Sequence, residues 1–335
     1  MSTSTLRWGV VGTGDIAHKR VMPAIEAEPR SKLVAVCDTV AERAQAAAAP
    51  RGARAFTSLD EMLRATDLDA VYLCTPVSLH VPQAIAALRA GKHVLVEKPV
   101  ALSHPEAKTL VVEAARSDRK CGVAYFRRFT PKYTMAREML TKGEFGKVVL
   151  VRLTYFSWFN PSPDDPKYWR VVPERSGGGP ISDMGTHMFD VLVGLLGMPE
   201  TVFAKAETLV QPYAVEDASV AMFTMPGGAQ VLASFHWSSK TWSHEFEIVG
   251  TEAKVKWHPY DSDSVLKTVG RDTVEVSTPN AKNVHAPLVA DFVSAVIENR
   301  DPAVTAAEAA KTNAVIDALY RSARERREVR LEEIR

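Results

Sequence analysis

Cysteine is scarce in this chain: three in 335 residues, at positions 37, 74 and 121. The number is odd and the spacing wide, which excludes a disulfide scaffold or a cysteine-built zinc site and predicts buried thiols in a reducing compartment. No run of about 18 apolar residues occurs, so no membrane span is expected. Met1 to Trp8 lacks a basic stretch followed by an apolar one, the mark of a secretory signal. These absences together point to the cytoplasm. An excess of either charge is also missing. The formal net charge is +1, so no general field draws the protein to nucleic acid or to an anionic membrane. Basic residues cluster between Arg321 and Arg335, but Glu325, Glu328, Glu332 and Glu333 alternate with them, as on a solvated helix face. There is no internal repeat.

What remains is ordinary globular material, 46% hydrophobic and 24% charged, in a chain long enough for two domains. The first third alternates short apolar runs with helical patterns. Strands are expected at 6–11, 33–37, 53–56, 70–74, 93–96 and 121–124, with helices at 16–27, 41–49, 59–65, 81–89 and 105–117. Strands apolar throughout and separated by helices predict a doubly wound parallel sheet covered on both faces. After residue 125 the grammar changes. A helix at 132–141 precedes longer strand candidates at 147–156, 202–209, 218–225, 230–237, 245–249 and 254–257, several alternating apolar with polar residues. Met225-Pro226-Gly227-Gly228-Ala229 reads as a hairpin turn. Helices return at 288–298 and 306–325. The expected fold is α/β, a Rossmann-type domain over residues 1–123 followed by an α+β domain with an open, mainly antiparallel sheet over 124–335.

The opening strand runs into Gly12-Thr13-Gly14-Asp15-Ile16-Ala17, a G-x-G-x-x-A turn. Gly12 permits the tight strand-to-helix turn, Gly14 lets the backbone approach a pyrophosphate, and Ala17 lets the helix pack close. Alone the motif is weak; a plain tight turn has the same spelling. Its place between strand and helix strengthens it, as does Asp38 at the end of the second strand, where a carboxylate bonds ribose hydroxyls and repels a 2′-phosphate. The reading is a dinucleotide site preferring NAD to NADP, although Arg43 lies one helical turn beyond Asp38.

Two segments carry groups fit for hydride-transfer chemistry, which needs a proton acceptor or donor beside an alcohol. Val96-Glu97-Lys98-Pro99 places Lys98 at a strand end, where open α/β sheets hold ligands; the plain alternative is a surface lysine paired with Glu97. Gly177-Gly178-Gly179 leads into a helix carrying Asp183 and His187, four apart and on one face. A carboxylate beside an imidazole orients it, so the pair suits general acid and base work. A structural hydrogen bond is the competing reading, and no further His or Cys at ligand spacing supports a metal.

These features together resemble the glucose-fructose oxidoreductase/inositol dehydrogenase/rhizopine-catabolism (Gfo/Idh/MocA) family. The resemblance spans nearly the whole chain: the glycine turn, Asp38, Thr75-Pro76 with His80, the stretch Gly91-Lys92-His93-Val94-Leu95-Val96-Glu97-Lys98-Pro99, Gly178-Gly179, and Asp183-x-Gly185-x-His187-x-x-Asp190. It implies Lys98 as the active-site lysine, His187 as acid/base with Asp183 as partner, and Thr75, Pro76, His80 and Glu97 lining the cofactor. Tyr168-Trp169-Arg170 resembles an aromatic-plus-arginine element near nicotinamide and substrate. Tyr125 and Arg127 are candidate pocket residues, with ordinary packing and salt bridging as the alternative. Val77 departs from the Asn common after the Thr-Pro pair. NADP-using branches carry small or basic residues at the position of Asp38, in line with NAD here. The resemblance further implies a homodimer or homotetramer built through the C-terminal sheet, and a sugar, inositol or related polyol as substrate.

The expected activity is therefore oxidation or reduction of a secondary alcohol or ketone with NAD. Two other classes stand beside it. One is an enzyme that retains its NAD for redox-assisted glycoside cleavage or epimerisation. The other is a non-catalytic NAD-sensing regulator, which would be expected to have lost Lys98 and His187.

Overall fold

The computed structural model describes residues 5–64 and 67–334. The chain forms two compact units and crosses between them several times. Residues 1–101, 105–126 and 281–310 build one, and residues 102–104, 127–280 and 311–335 the other. A single cut after residue 123 therefore does not divide them.

The first unit is a six-stranded sheet of β1 (Leu6–Val11), β2 (Ser31–Cys37), β3 (Arg54–Phe56), β4 (Ala70–Leu73), β5 (His93–Val96) and β6 (Cys121–Val123). The order is β3-β2-β1-β4-β5-β6, and every pairing is parallel. The four residues of β4 are all buried, as continuous apolar runs require when helices cover both faces. The first helical segment is not regular: a π-helical stretch, Ala17–Val21, passes into the α-helix Met22–Ala27. The helix expected at 59–65 spans Leu59–Leu63; Ala65 lies outside the described residues.

The helix Ala286–Ile297, expected with the second domain, packs on this sheet instead. Its apolar stripe, Leu288, Val289, Phe292 and Val293, is buried. The Phe292 ring lies 5.4 Å from that of Trp8 on β1, and Gly122 on β6 leaves it room, since a Cβ there would stand 3.0 Å from the ring. An amphipathic helix shows from sequence that it covers something; which sheet it covers is a tertiary matter.

The second unit holds nine strands: β7 (Val148–Trp158), β8 (Thr201–Glu207), β9 (Ala218–Thr224), β10 (Gln230–His236), β11 (Ser238–Gly250), β12 (Ala253–Trp257), β13 (Ser264–Val269), β14 (Asp272–Ser277) and β15 (Val329–Arg330). Their order is β14-β13-β12-β11-β7-β10-β9-β8-β15. Pairing is antiparallel except between β7 and β10. Met225 N–H donates to the Ala229 carbonyl, closing the expected hairpin between β9 and β10. One sheet face carries the core. There Phe189, on the helix Thr186–Leu196, meets Phe223 and Phe235 at 5.5 and 5.3 Å, and Phe246 stacks on its cross-strand partner Trp257.

The outer hairpin β13–β14 was not legible in the sequence. It lies at the sheet edge and β14 is exposed almost throughout, so its residues carry no buried alternation to read. Cys37 and Cys121 are buried free thiols, whereas Cys74 is partly exposed. Among the described residues no helix is long and apolar enough to cross a membrane.

Truncating Phe292 to Ala should lower stability by about 3–5 kcal/mol, the usual cost of emptying a buried aromatic site. Urea denaturation measures this; an unchanged midpoint would show that the helix Ala286–Ile297 is not part of the first unit's core.

Candidate active site

The end of β1 is held from both sides. Gly12 N–H donates to the Cys37 carbonyl of β2 at 2.8 Å, and Cys74 N–H donates to the Val11 carbonyl at 2.7 Å. Gly12 has φ +85°, and a Cβ there would stand 3.0 Å from backbone atoms of Cys74, so glycine is required on both counts. At Gly14 the opposite holds: a Cβ would meet nothing within 4 Å, leaving space in front of the turn. Helical structure starts directly afterwards, at Asp15, whose carboxylate pairs with Lys19 at 2.9 Å.

Asp38 follows β2 and braces this turn. Its Oδ2 accepts from Thr13 N–H at 2.9 Å and from the Thr13 hydroxyl at 2.7 Å, while Oδ1 accepts from Val40 N–H at 3.0 Å. Partial burial pulls its carboxyl upward, but the donors of Val40 and Thr13, with the charge of Arg43, outweigh that and hold it below its ordinary value. A tight glycine turn, open space before a helix start, and an ionised acid at the end of the neighbouring strand fit the pyrophosphate and ribose of a dinucleotide.

Lys98 follows β5, at the carboxyl edge of the same sheet. Its neighbour Glu97 turns inward. Glu97 is buried; its Oε1 accepts from the Tyr72 hydroxyl at 2.9 Å and faces His285 Nε2 at 3.3 Å, and its Oε2 accepts from Lys98 N–H at 3.3 Å. Burial raises its carboxyl, but His285, Lys98 and Tyr72 together bring it below the usual carboxylate range. His80 likewise uses both ring nitrogens on the chain, each 2.8 Å from a carbonyl oxygen, of Pro99 and of Thr75. The Thr75 hydroxyl donates to Gln83 at 2.7 Å. Pro76 leads into the turn Val77–Leu79, where Val77 is buried, so an apolar residue suits the place. Around Lys98, then, Glu97 and His80 have polar atoms committed to holding strand ends. His285 was missed from sequence; it precedes a helix more than 180 residues away, with no local motif.

In the second unit, Tyr168, Trp169 and Arg170 share the short turn Tyr168–Val171. Tyr168 packs against a cluster of Val171, Val215 and Trp237. The Arg170 guanidinium lies over the Trp169 ring, 5.4 Å from its centroid, and its Nη1 donates to both Asp183 oxygens at 2.6 and 2.7 Å. The carboxylate expected to serve His187 thus has a cationic partner that spacing did not reveal. Asp183 lies in a π-helical turn, Ile181–Gly185, and His187 is buried in the α-helix that follows, Thr186–Leu196. Single π turns occur often at functional sites.

Of the two pocket candidates after β6, Tyr125 is fully buried in the first unit. Arg127 belongs to the second, where it pairs with Asp261 and stacks over Tyr260 at 4.4 Å. Asp190, from the same motif as His187, is fully buried against Arg128 at 2.7 Å and anchors the helix. Among the described residues no cluster of three or more His, Cys, Asp or Glu side chains could hold a metal ion.

Residues 6–125 match the oxidoreductase family with an NAD-binding Rossmann fold, and residues 133–256 match the GFO/IDH/MocA C-terminal domain. A 1,5-anhydro-D-fructose reductase of Ensifer adhaerens is 30% identical over 307 residues, 89% of this chain and 90% of that protein. The chain belongs to the Gfo/Idh/MocA family of oxidoreductases. An inositol 2-dehydrogenase of Rhizobium meliloti (strain 1021) is 26% identical over 337 residues, 97% of this chain and 99% of that one. A solved aldose-aldose oxidoreductase from Caulobacter crescentus, complexed with glycerol, has a TM-score of 0.88 at 26% identity, covering 97% of this chain and 99% of its own. Like other Gfo/Idh/MocA oxidoreductases, this one is built on an NAD-binding Rossmann unit, and the glycine turn with Asp38 belongs to that unit.

Replacing Asp38 with Ala should weaken NAD binding by about 10- to 100-fold, the loss of charged hydrogen bonds to the ribose, and should narrow the preference against NADP. Fluorescence titration with both cofactors tests this. Equal NAD affinity in variant and wild type would show that Asp38 serves only the turn.

Proposed function

We propose that the protein is an NAD-dependent dehydrogenase or reductase acting on a secondary alcohol or ketone of a sugar, inositol or related polyol, with Lys98 and His187 as its catalytic groups. The observation that carries this reading is Lys98 immediately beyond β5, at the carboxyl edge of the sheet whose β1 bears the glycine turn. A sugar reductase and an inositol dehydrogenase among the relatives support the substrate class. Bound NAD supplies a hydride acceptor at its nicotinamide. In the oxidative direction neutral His187 takes the hydroxyl proton while the Lys98 ammonium polarises the oxygen; in reduction His187 returns the proton. Asp183 steadies this end of the helix through Arg170, and Tyr168 and Trp169 are proposed to shape the substrate pocket, while the burial of Tyr125 and the pairing of Arg127 with Asp261 favour the packing and salt-bridging alternative for those two.

Absorbance of reduced nicotinamide, followed with myo-inositol, 1,5-anhydro-D-fructose and a panel of sugars, tests the proposal. Lys98→Ala and His187→Ala should each lower kcat by about 10²-fold or more, the ordinary worth of positioned acid–base catalysis, and His187→Ala should still bind NAD. Full activity in both variants would remove the site assignment; no turnover of any polyol or sugar would remove the substrate class.

The proposed oligomer uses the open face of the second sheet. Leu232, Met222 and Phe203 stand in cross-strand register on β10, β9 and β8, and are 42%, 57% and 40% exposed. An apolar row of this kind on an open sheet face suits a second copy of the chain. Light scattering should show a dimer or tetramer for the wild type and smaller species for Met222→Glu; a monomeric wild type refutes it.

A further inference from the structure

Glu216, just before β9, belongs to no motif and is not part of the proposed chemistry, yet it is buried beneath the glycine run that precedes Asp183 and His187. Its Oε2 accepts from Gly179 N–H at 2.9 Å, and its Oε1 accepts from Ile181 N–H at 3.2 Å and from the Tyr320 hydroxyl at 2.8 Å. The turn is moulded onto this group. A Cβ at Gly179 would overlap the Glu216 carbonyl oxygen, and one at Gly178 the Tyr320 hydroxyl. The turn thus has little room to shift while the carboxylate holds it.

We propose that Glu216 is a positioning residue, whose ionised carboxylate sets the turn Gly178–Ile181 and through it the placement of Asp183 and His187 for proton transfer. The proposal rests on the catalytic reading of His187 given above. The groups of Gly179, Ile181 and Tyr320 that meet it are N–H or O–H donors, so the ionised form, acceptor only, is the one that matches them. Protonation puts a hydrogen on an oxygen that faces a donor and weakens one of the backbone bonds while the carboxyl stays buried.

Burial pushes the Glu216 carboxyl up to about 7, against the opposing pull of the Gly179, Tyr320 and Ile181 bonds. Tyr320 is the titratable group in direct contact. Glu207 on β8 and Arg324 on the helix Ala306–Glu325 line the adjoining cavity, and the neighbouring Asp217 is occupied by the N–H groups of Leu209, Val210 and Gln211.

The sign of the pH effect separates this group from His187. Reduction of a ketone needs His187 protonated, so its limb falls as pH rises; the Glu216 limb falls as pH drops below about 7. With 1,5-anhydro-D-fructose and NADH, Glu216→Gln, the same size but with a donor where an acceptor is needed, should lower kcat about tenfold at pH 8, leave the KM for NADH unchanged, and abolish the acid limb. Tyr320→Phe, which removes one donor and keeps the carboxylate, should move that limb to higher pH. Independently of any substrate, hydrogen exchange in residues 177–190, corrected for intrinsic rates, should be slower in wild type at pH 8 than at pH 6, and fast at both in Glu216→Gln. Equal exchange in variant and wild type, or a wild-type acid limb retained in Glu216→Gln, overturns the proposal. Loss of exchange protection together with full activity of His187→Ala would leave the carboxylate's hold on the turn standing and remove the catalytic reading instead.

Discussion

A carboxylate taken out of water must be met by donors or by a cation, and the local geometry of both units depends on that constraint. Asp38 takes the N–H and hydroxyl of Thr13, Glu97 takes Tyr72 and the Lys98 amide, Glu216 takes the amides of Gly179 and Ile181, and Asp190 takes Arg128. Apart from the adjacent Lys98 amide, the acid comes from one segment and the group it holds from another. The bonds therefore fix turns that the turn residues would not fix alone, because glycine-rich segments have many conformations open to them.

The same bonds divide the acids electrostatically. Donors and nearby cations outweigh burial at Asp38 and Glu97, which are held below their ordinary values. At Glu216 burial wins, although the donors of Gly179, Tyr320 and Ile181 oppose it, and the carboxyl is pushed up to about 7. Asp38 is only half-buried and is lowered first by the Val40 and Thr13 donors and then by Arg43, and Glu97 is lowered first by His285 and then by Lys98, whereas Glu216 is buried and its bonded partners are all neutral. A buried acid held only by neutral dipoles is the one whose charge state changes near neutral pH.

Residues singled out by motif thus fall into two kinds. Gly12, Gly14 and Lys98 stand beyond strand ends at the carboxyl edge of the parallel sheet, the edge at which open α/β sheets hold ligands. His80 and Asp190 have their polar atoms turned to the chain itself, to backbone carbonyls and to Arg128. A recurrent motif marks positions under constraint, and the constraint on a residue that holds the site can be as strict as on one that acts in it.

Local pattern carried much of the fold. β1 and β5 begin and end where their apolar runs do, and the helix Ala306–Glu325 likewise, because burial on a fixed side leaves a period that can be read along the chain. The glycine turn and Asp38 were legible for a related reason: strand, turn and helix are contiguous, and their chemistry lies within one local unit. Three things depended on tertiary structure. The helix Ala286–Ile297 joins the first unit, the hairpin β13–β14 extends the second sheet, and Arg170, Glu216 and His285 partner Asp183, the glycine run and Glu97. An apolar stripe states that a face is buried but not against what, and a lone charged residue carries no sign of the distant amide or carboxylate it will meet. The sequence by itself determined where the chain must turn and which faces must leave water; only the folded chain decided which groups came close enough to bond.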